Sequence, residues 1–210
     1  MGADAIAARL AAGAEALGVP LEPAQQQAML ALMAELVEWN GRFNLTAITE
    51  PADIVDKHLL DSLAVLPQLR GLRIADIGSG AGFPGLPLAI ANPGRRYTLI
   101  ESTGKKAGFL HHAVEKLALS NVEVFYGRAE TLKPRPAFDG AISRALGSIA
   151  EFVRVAGQLL AREGRLYAMK GRVPDEELKA LPAGWKLVNV HPIRVPGLDA
   201  ERCLVELARV

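Results

Sequence analysis

Residues 73–90 read RIADIGSGAGFPGLPLAI, a short apolar strand pattern followed by a glycine-rich turn and a second apolar segment. Within it, residues 80–85 (GAGFPG) match the spacing G-x-G-x-x-G. Glycines at this spacing let the backbone of a strand-to-helix turn approach a ligand, commonly a dinucleotide pyrophosphate at the helix N-terminus. The stretch therefore predicts an α/β fold with a nucleotide-like ligand at the turn.

Two acidic residues narrow the choice of ligand for the turn. Asp76 and Gly78 extend the pattern to Asp-x-Gly-x-Gly-x-Gly, and Glu101 ends the next predicted strand, RYTLIE. A carboxylate at position 76 would repel a pyrophosphate but can accept a hydrogen bond from the ammonium of a methionine-like group. An acidic residue at the second strand tip binds ribose hydroxyls in nucleoside sites. The structural alternatives are a turn without a ligand and, for Glu101, a cap on the next helix.

Downstream of this stretch, short β-rich runs alternate with helical patterns, which predicts a mostly parallel sheet covered on both faces. The tail differs, because two β-rich runs follow each other with only a Pro/Gly loop between them, and this predicts a closing antiparallel hairpin. The predicted strands are LRIADIG (72–78), RYTLIE (96–101), NVEVFYG (121–127), FDGAISRA (138–145), GRLYAMKG (164–171), WKLVNVHPIRV (185–195) and ERCLVELARV (201–210).

Residues 1–70 carry a helical pattern instead. Apolar residues recur there at three- and four-residue spacings, as in Ile6 and Leu10, and in Met29, Leu32 and Leu36. A third segment, DIVDKHLLDSLAVLP (53–67), repeats this period. The sequence therefore predicts an N-terminal helical cap over residues 1–70 and one α/β domain over residues 71–210.

Composition bounds the function. The chain has 210 residues, of which 50% are hydrophobic and 22% charged, as in a folded globular protein, and its net charge of +1 requires any polyanion to bind a local patch. The single Cys203 excludes an internal disulfide, and four histidines without ligand spacing argue against a metal site. The first eighteen residues lack the core of a signal peptide, and no apolar run approaches the ~20 residues of a membrane span. We expect a cytoplasmic protein.

Eight motifs, in order along the chain, carry a closer resemblance. They are WNGRFNLTAI (39–48), KHLLDSL (57–63), DIGSGAGFPGLPLAI (76–90), GKKAGFL (104–110), GRAE (127–130), ISRA (142–145), AMKG (168–171) and ERCLVEL (201–207). Together they resemble the bacterial small-subunit ribosomal RNA methyltransferase G family, also called glucose-inhibited division protein B. The resemblance implies a class I S-adenosylmethionine-dependent methyltransferase with a Rossmann-like fold. It also implies methylation of N7 of the guanine at position 527 of 16S rRNA.

The resemblance assigns site residues as well. It implies that Gly78, Phe83, Ala129, Glu130 and Arg144 contact S-adenosylmethionine, and the turn and strand-tip argument adds Asp76, Gly80 and Glu101. One departure is Glu101-Ser102, where many relatives have Asp-Ser, and this keeps the carboxylate. Another is the residue directly after Arg202, which is Cys203 in this chain and commonly a polar residue in relatives.

The expected chemistry needs no general base, because guanine N7 carries an unprotonated lone pair at neutral pH. Catalysis is then positioning together with exclusion of water. We predict that Arg144 positions the reactants: it would bind the base at O6, since N7 must stay free, or else serve the cofactor. His58 and Asp61 share one helical face, which fits either the mouth of the site or a packed helix.

RNA binding requires basic residues near the strand tips, where phosphates would approach. The candidates, which include ordinary surface charge, are Lys105, Lys106, Arg128, Lys170, Arg172 and Arg202, beside Arg144. Because only 5% of residues are aromatic, extensive base stacking is not expected, although Phe83 or Phe43 could face the target. The expected partner is the small ribosomal subunit or its 16S rRNA, bound by a monomer.

Two other functions fit parts of the sequence. A nicotinamide-dependent oxidoreductase would use the same G-x-G-x-x-G spacing, but Asp76 before the turn and the closing hairpin count against it. A non-catalytic RNA-binding or assembly factor would keep the fold without turnover, against which the intact Asp76, Gly78 and Glu130 weigh.

Overall fold

The computed structural model describes residues 2–144 and 146–210. Ala145, the last residue of the predicted strand 138–145 and of the motif ISRA, lies outside the described residues. In the described chain one seven-stranded sheet has the order β3-β2-β1-β4-β5-β7-β6. Its strands are β1 Arg73–Ile77, β2 Arg96–Glu101, β3 Val122–Tyr126, β4 Phe138–Arg144, β5 Leu160–Lys170, β6 Trp185–Ile193 and β7 Arg202–Arg209.

Strands β1 to β5 pair in parallel, and β7 pairs antiparallel with both β5 and β6. The predicted parallel sheet with a closing antiparallel hairpin is therefore confirmed. The chain order reverses at β1, which lies between β2 and β4. Ligands of open α/β sheets bind in the crevice at such a switch point, beyond the carboxyl ends of the strands. The glycine turn follows β1 directly and therefore lies at this edge.

Helices cover both faces of the sheet. They are α1 Ala3–Ala16, α2 Pro23–Phe43, α3 Pro51–Ile54, α4 Asp61–Leu63, α5 Gly85–Ala91, α6 Gly104–Lys116, α7 Ile149–Ala156 and α8 Asp175–Lys179. One face buries a cluster in which Leu10 and Leu32 of the first two helices join Leu88 of α5 and Phe109 of α6. Phe152 of α7 belongs to a second cluster, which packs on the other face. The division into a cap (1–70) and a domain (71–210) stays a prediction.

Helix α2 follows the rules for helix ends. Pro23 occupies its first turn, where a missing N–H costs nothing, and Glu22 and Gln25 form a reciprocal capping box. The helix is followed by its C-cap residue Asn44, whose φ of 50° lies in the left-handed region that asparagine tolerates. No helix in residues 2–144 and 146–210 is long and apolar enough to cross a membrane.

The third predicted helix differs from a regular one. Between α3 and α4, residues Val55–Leu60 form one π-helical turn, which we call the wide turn. The backbone N–H of Asp61 donates to the carbonyl of Asp56, five residues earlier. Side chains from other elements support the wider backbone: Arg9 of α1 donates through Nε to Asp56 Oδ1 at 2.7 Å. π-turns occur mostly as single turns and frequently at functional sites.

Candidate active site

The glycine turn after β1 leaves an open concave backbone. Gly78 and Gly80 have φ angles of 69° and 59°, in the left-handed region that side chains with a Cβ rarely adopt. A Cβ at Gly78 would lie 3.7 Å from Leu146 Cδ1, and one at Gly80 would have the Gly78 carbonyl as its nearest neighbour at 3.9 Å. The protein thus leaves room beside both residues, which suits the close approach of a ligand.

Gly85, the last glycine of the motif, serves packing instead. It is the first residue of α5, and a Cβ there would collide with the Leu99 side chain and lie 2.7 Å from Asp76 Oδ2. Its backbone N–H donates to the same Asp76 oxygen at 2.9 Å. Gly85 therefore lets α5 start directly against β1 and β2.

Asp76 lies behind the turn with no exposed surface. One carboxylate oxygen, Oδ2, accepts the Gly85 N–H, whereas Oδ1 has no hydrogen-bond partner in the described residues. Burial raises the pKa of Asp76 to about 7, against the opposing effect of the Gly85 N–H. A buried acceptor without a partner is costly, and an ammonium donor would satisfy it. This oxygen fits the contact predicted for Asp76.

Glu101, at the tip of β2, binds two backbone donors. Its Oε2 accepts the Gly80 N–H at 2.8 Å, and its Oε1 accepts the Thr103 N–H at 2.7 Å. Thr103 is the N-cap residue of α6. The bond to Thr103 therefore agrees with the alternative that Glu101 caps the next helix. Each carboxylate oxygen keeps further acceptor capacity, which ribose hydroxyls could use.

A small groove joins the tips of β1, β2 and β3. It has a volume of about 140 Å³, and Gly78, Ser102, Ala129, Glu130 and Leu146 are among the residues that line it. The Glu130 carboxylate lies 3.4 Å from Arg128 Nη2 and 3.5 Å from Arg154 Nη1. Its own backbone N–H, helped by Arg128, lowers the pKa of Glu130. The structure thus brings Gly78, Ala129 and Glu130 together.

Arg144, at the tip of β4, joins the sheet to the wide turn. Its Nη1 donates to the Lys57 carbonyl at 2.9 Å and lies 3.2 Å from Asp61 Oδ2, and its Nη2 lies 3.1 Å from His58 Nδ1. The guanidinium carbon lies 5.5 Å from the centre of the Phe83 ring. His58 stacks on the same ring, with 4.4 Å between centroids and 12° between planes.

Asp61 binds a second arginine from the far end of the chain. Its Oδ1 accepts from Arg202 Nε at 3.1 Å, while its Oδ2 contacts Arg144, and only 4% of its side chain is exposed. A buried carboxylate needs such partners, because an unpaired one is strongly destabilising. His58 and Asp61 both line the cavity beside Arg144, and His58 is also buried and hydrogen-bonded, so the structure shows features of both alternatives.

That cavity, which we call the cap cavity, has a volume of about 860 Å³. It lies between the wide turn and the tips of β4 and β5. Its polar lining consists mainly of Lys57, His58, Asp61, Arg144, Lys170 and Arg202, and its apolar lining includes Phe152, Met169 and Leu198. Leu146 lines both this cavity and the small groove, so the two openings are neighbours. Apolar walls with a polar edge suit a planar base.

The basic candidates fall into three groups. Lys170 and Arg202 line the cap cavity but already bind protein groups, because Lys170 Nζ donates to the Gly147 carbonyl at 2.9 Å and Arg202 binds Asp61. Arg172 is exposed and lies 3.5 Å from Glu201. The other three, Lys105 and Lys106 in the first turn of α6 and the exposed Arg128, lie beside the small groove or the tip of β2.

Neither candidate aromatic ring lines the cap cavity. Phe83 is 4% exposed and lies beneath His58 and Arg144. Phe43 ends α2 and packs against Trp39, with ring centroids 5.3 Å apart. Sequence reasoning missed Thr46, whose Oγ1 lies 3.0 Å from His58 Nε2, although it belongs to the motif at residues 39–48.

Comparison with known proteins gives the family. The family model described as rRNA small subunit methyltransferase G matches residues 25–205. Ribosomal RNA small subunit methyltransferase G of Azoarcus sp. (strain BH72) is 49% identical over 204 residues, which cover 97% of this chain and 96% of that protein.

Solved structures show the fold. A SAM-dependent methyltransferase from Aquifex aeolicus has a TM-score of 0.58 at 18% identity, covering 78% of this chain and 96% of that one. The glycopeptide N-methyltransferase MtfA, complexed with S-adenosyl-L-homocysteine, has a TM-score of 0.62 at 10% identity, covering 73% and 87%. The predicted fold of S-adenosylmethionine-dependent methyltransferases is confirmed, and the chain belongs to the rRNA small subunit methyltransferase G family.

Proposed function

We propose that the protein transfers a methyl group from S-adenosylmethionine to N7 of the guanine at position 527 of 16S rRNA. The observation that carries this proposal is the position of Arg144, between the glycine turn and the cap cavity. Methyl transfer requires a cofactor site and an acceptor site that lie side by side, and the proposal is supported by Leu146, which lines both the small groove and the cap cavity. Membership of the family supplies the substrate class.

The residues around the turn fit the cofactor. Asp76 Oδ1 would accept from the ammonium, the open backbone of Gly78 and Gly80 would border the methionine part, and Glu101 would accept from the ribose hydroxyls. Ala129 and Glu130 would border the adenine in the small groove. When bound, the cofactor supplies a methyl group on a positively charged sulfur.

The cap cavity would receive the guanine. The unprotonated lone pair of N7 would accept the methyl group, and the positive charge would pass from the cofactor to the purine. No proton moves, so the site needs no general base. We assign Arg144 the role of positioning residue, with two uses: a hydrogen bond to O6, which leaves N7 free, or a contact with the cofactor.

Basic residues near the strand tips would hold the RNA. Arg172 and Arg128 have largely exposed side chains, which suits phosphate contacts. The exposed Lys105 and the half-buried Lys106 lie at the start of α6. We propose a monomer that acts in the cytoplasm on the small subunit or its 16S rRNA.

Methyl transfer from labelled S-adenosylmethionine tests the proposal. Small subunits and naked 16S rRNA from a strain that lacks the modification serve as substrates, and the labelled 7-methylguanine is mapped. RNA with adenine at position 527 is the matched control. A single labelled guanine at that position is expected. Transfer to neither substrate, with normal binding of S-adenosylhomocysteine, would contradict the proposal and favour an assembly factor.

A further inference from the structure

The wide turn, together with Asp61 directly after it, presents three acceptors to one guanidinium. They are the Lys57 carbonyl at 2.9 Å from Nη1, Asp61 Oδ2 at 3.2 Å from Nη1, and His58 Nδ1 at 3.1 Å from Nη2. A guanidinium has five N–H donors and no acceptor. Each of the three groups must therefore accept, and this requires a lone pair on His58 Nδ1.

The tautomer of His58 follows from this requirement. Nδ1 also lies 3.1 Å from the carbonyl of Lys57, so a proton on Nδ1 could bond to that carbonyl. The same proton would then face an N–H of Arg144 Nη2, and the Lys57 carbonyl already accepts from Arg144 Nη1. With the proton on Nε2, His58 donates to Thr46 Oγ1 at 3.0 Å and accepts from Arg144. The charge-assisted bond is the stronger, which favours the Nε2–H tautomer.

The surroundings keep the ring neutral. His58 is 5% exposed, and the charged groups near it are Arg144 from β4, Lys57 and Asp61 on its own segment, and Arg202 of β7 beyond Asp61. Thr46 and Phe83, which contact the other sides of the ring, are uncharged. Burial, followed by the positive charge of Arg144, lowers the pKa of His58 to about 4.

We propose that His58 is a positioning residue of methyl transfer, whose neutral imidazole accepts from Arg144 and fixes the guanidinium over Phe83. This inference rests on the proposed function. Three of the five N–H groups of Arg144 are used by Lys57, His58 and Asp61, and two remain for the guanine or the cofactor. In this role His58 acts through Arg144 and not on a reacting atom.

Two variants separate the hydrogen bond from the packing. In His58→Asn, the amide oxygen replaces Nδ1 as an acceptor, although the ring is lost. In His58→Phe, a ring still stacks on Phe83, but nothing accepts from Arg144. We expect His58→Asn to keep kcat within about threefold, and His58→Phe to lose about 100-fold in kcat with little change in the affinity for S-adenosylhomocysteine. A role in packing alone predicts the reverse order.

The protonation state has its own measurement. Nitrogen-15 spectra resolve the four histidines, and the signal that is lost in His58→Asn belongs to His58. We expect that signal to show a protonated Nε2 and an unprotonated Nδ1 from neutral pH down to pH 5. A proton on Nδ1, or a charged ring at neutral pH, overturns the inference, and so does full activity of His58→Phe. If the wild type shows the expected tautomer and binds S-adenosylhomocysteine but methylates no RNA, the proposed function fails instead.

Discussion

The Gly80 N–H donates to Glu101 Oε2 at 2.8 Å, and this bond joins the middle of the glycine turn to the tip of the neighbouring strand. The second oxygen of Glu101 holds the Thr103 N–H at the start of α6. One carboxylate thus fixes the two backbone segments that border the proposed cofactor site.

Glu101→Gln is expected to weaken this junction. A glutamine amide has one acceptor oxygen, so its NH₂ group would face the N–H of either Gly80 or Thr103. Leaving one donor unsatisfied costs about 1–3 kcal/mol. We expect an affinity for S-adenosylhomocysteine at least about tenfold lower, measured by calorimetry. Glu123→Gln, at an exposed position on β3, is the control, and equal affinities for both variants would contradict the prediction.

The first and last glycines of the turn should respond differently to substitution. Gly78→Ala costs about 1–2 kcal/mol of backbone strain, but the protein has space for the methyl group, and Gly78→Val adds bulk in the same space. Both variants are expected to fold and to lose cofactor binding. Gly85→Ala collides with Leu99 and is expected to unfold at a lower temperature. Melting curves and titrations with S-adenosylhomocysteine distinguish the effect at Gly78 from the effect at Gly85. Full affinity in Gly78→Val would refute the placement of the ligand.

Asp76 predicts a pH dependence of stability. Because its pKa is raised from 3.8 to about 7 in the folded protein, the folded state binds more protons than the unfolded state between these values. Its contribution is present below about pH 4 and is lost as the pH rises through 7. In Asp76→Asn the free energy of unfolding should lose this slope, while the affinity for S-adenosylhomocysteine falls. Denaturant titrations from pH 4 to 8 measure the slope. Asp199→Asn, at an exposed position, should keep it.

Arg144 and Arg202 share Asp61 but should affect different kinetic constants. Arg144→Ala is expected to lower kcat by about 100-fold or more, because the reactants lose their positioning group. Arg202→Ala is expected mainly to raise KM for RNA. Each of the two variants removes one of the two arginines that bind the buried Asp61. We therefore expect each variant to lower the free energy of unfolding by about 1–3 kcal/mol. Steady-state kinetics on small subunits decide, and wild-type activity of Arg144→Ala would exclude its proposed role.

Salt dependence tests the RNA contacts. If Arg128 binds a phosphate, Arg128→Ala should reduce the slope of log affinity against log salt by about one. Lys170→Ala should change the slope less, because Lys170 Nζ is held by the Gly147 carbonyl and lies 3.3 Å from Glu177. Binding to 16S rRNA is measured over a range of KCl concentrations. An unchanged slope for Arg128→Ala removes that residue from the RNA surface.

The sequence predicted the strands and the turn because their signals are local. Alternating and continuous apolar runs predict strands, and Gly78, Gly80 and Asp76 follow the first of them within a few residues. The same logic placed Glu101 and Glu130 at strand tips, and the sheet brings those tips together. Residues whose roles follow from strand order were therefore accessible without a structure.

The hydrogen bonds around Arg144 were not accessible in this way. Asp61 and Arg202 are 141 positions apart, and no pattern in the sequence pairs them. The Lys57 carbonyl is a backbone group, so its role as an acceptor could not be predicted from the type of side chain. The apolar spacing of residues 54–63 fits a regular helix, and the wide turn could not be predicted from it. Leu59 and Leu63 are buried, as they would be in a regular helix.

The wide turn makes the length of residues 55–60 a functional property. A turn closed by i→i+5 bonds holds one residue more than an α-helical turn, so removing one residue here would restore an ordinary helix and leave the orientation of α4 nearly unchanged. In an ordinary helix the Asp61 N–H would bond to the Lys57 carbonyl, which in the wide turn accepts from Arg144. A one-residue deletion before Lys57 should therefore weaken the hold on Arg144, although every side chain of the motif at residues 57–63 is kept.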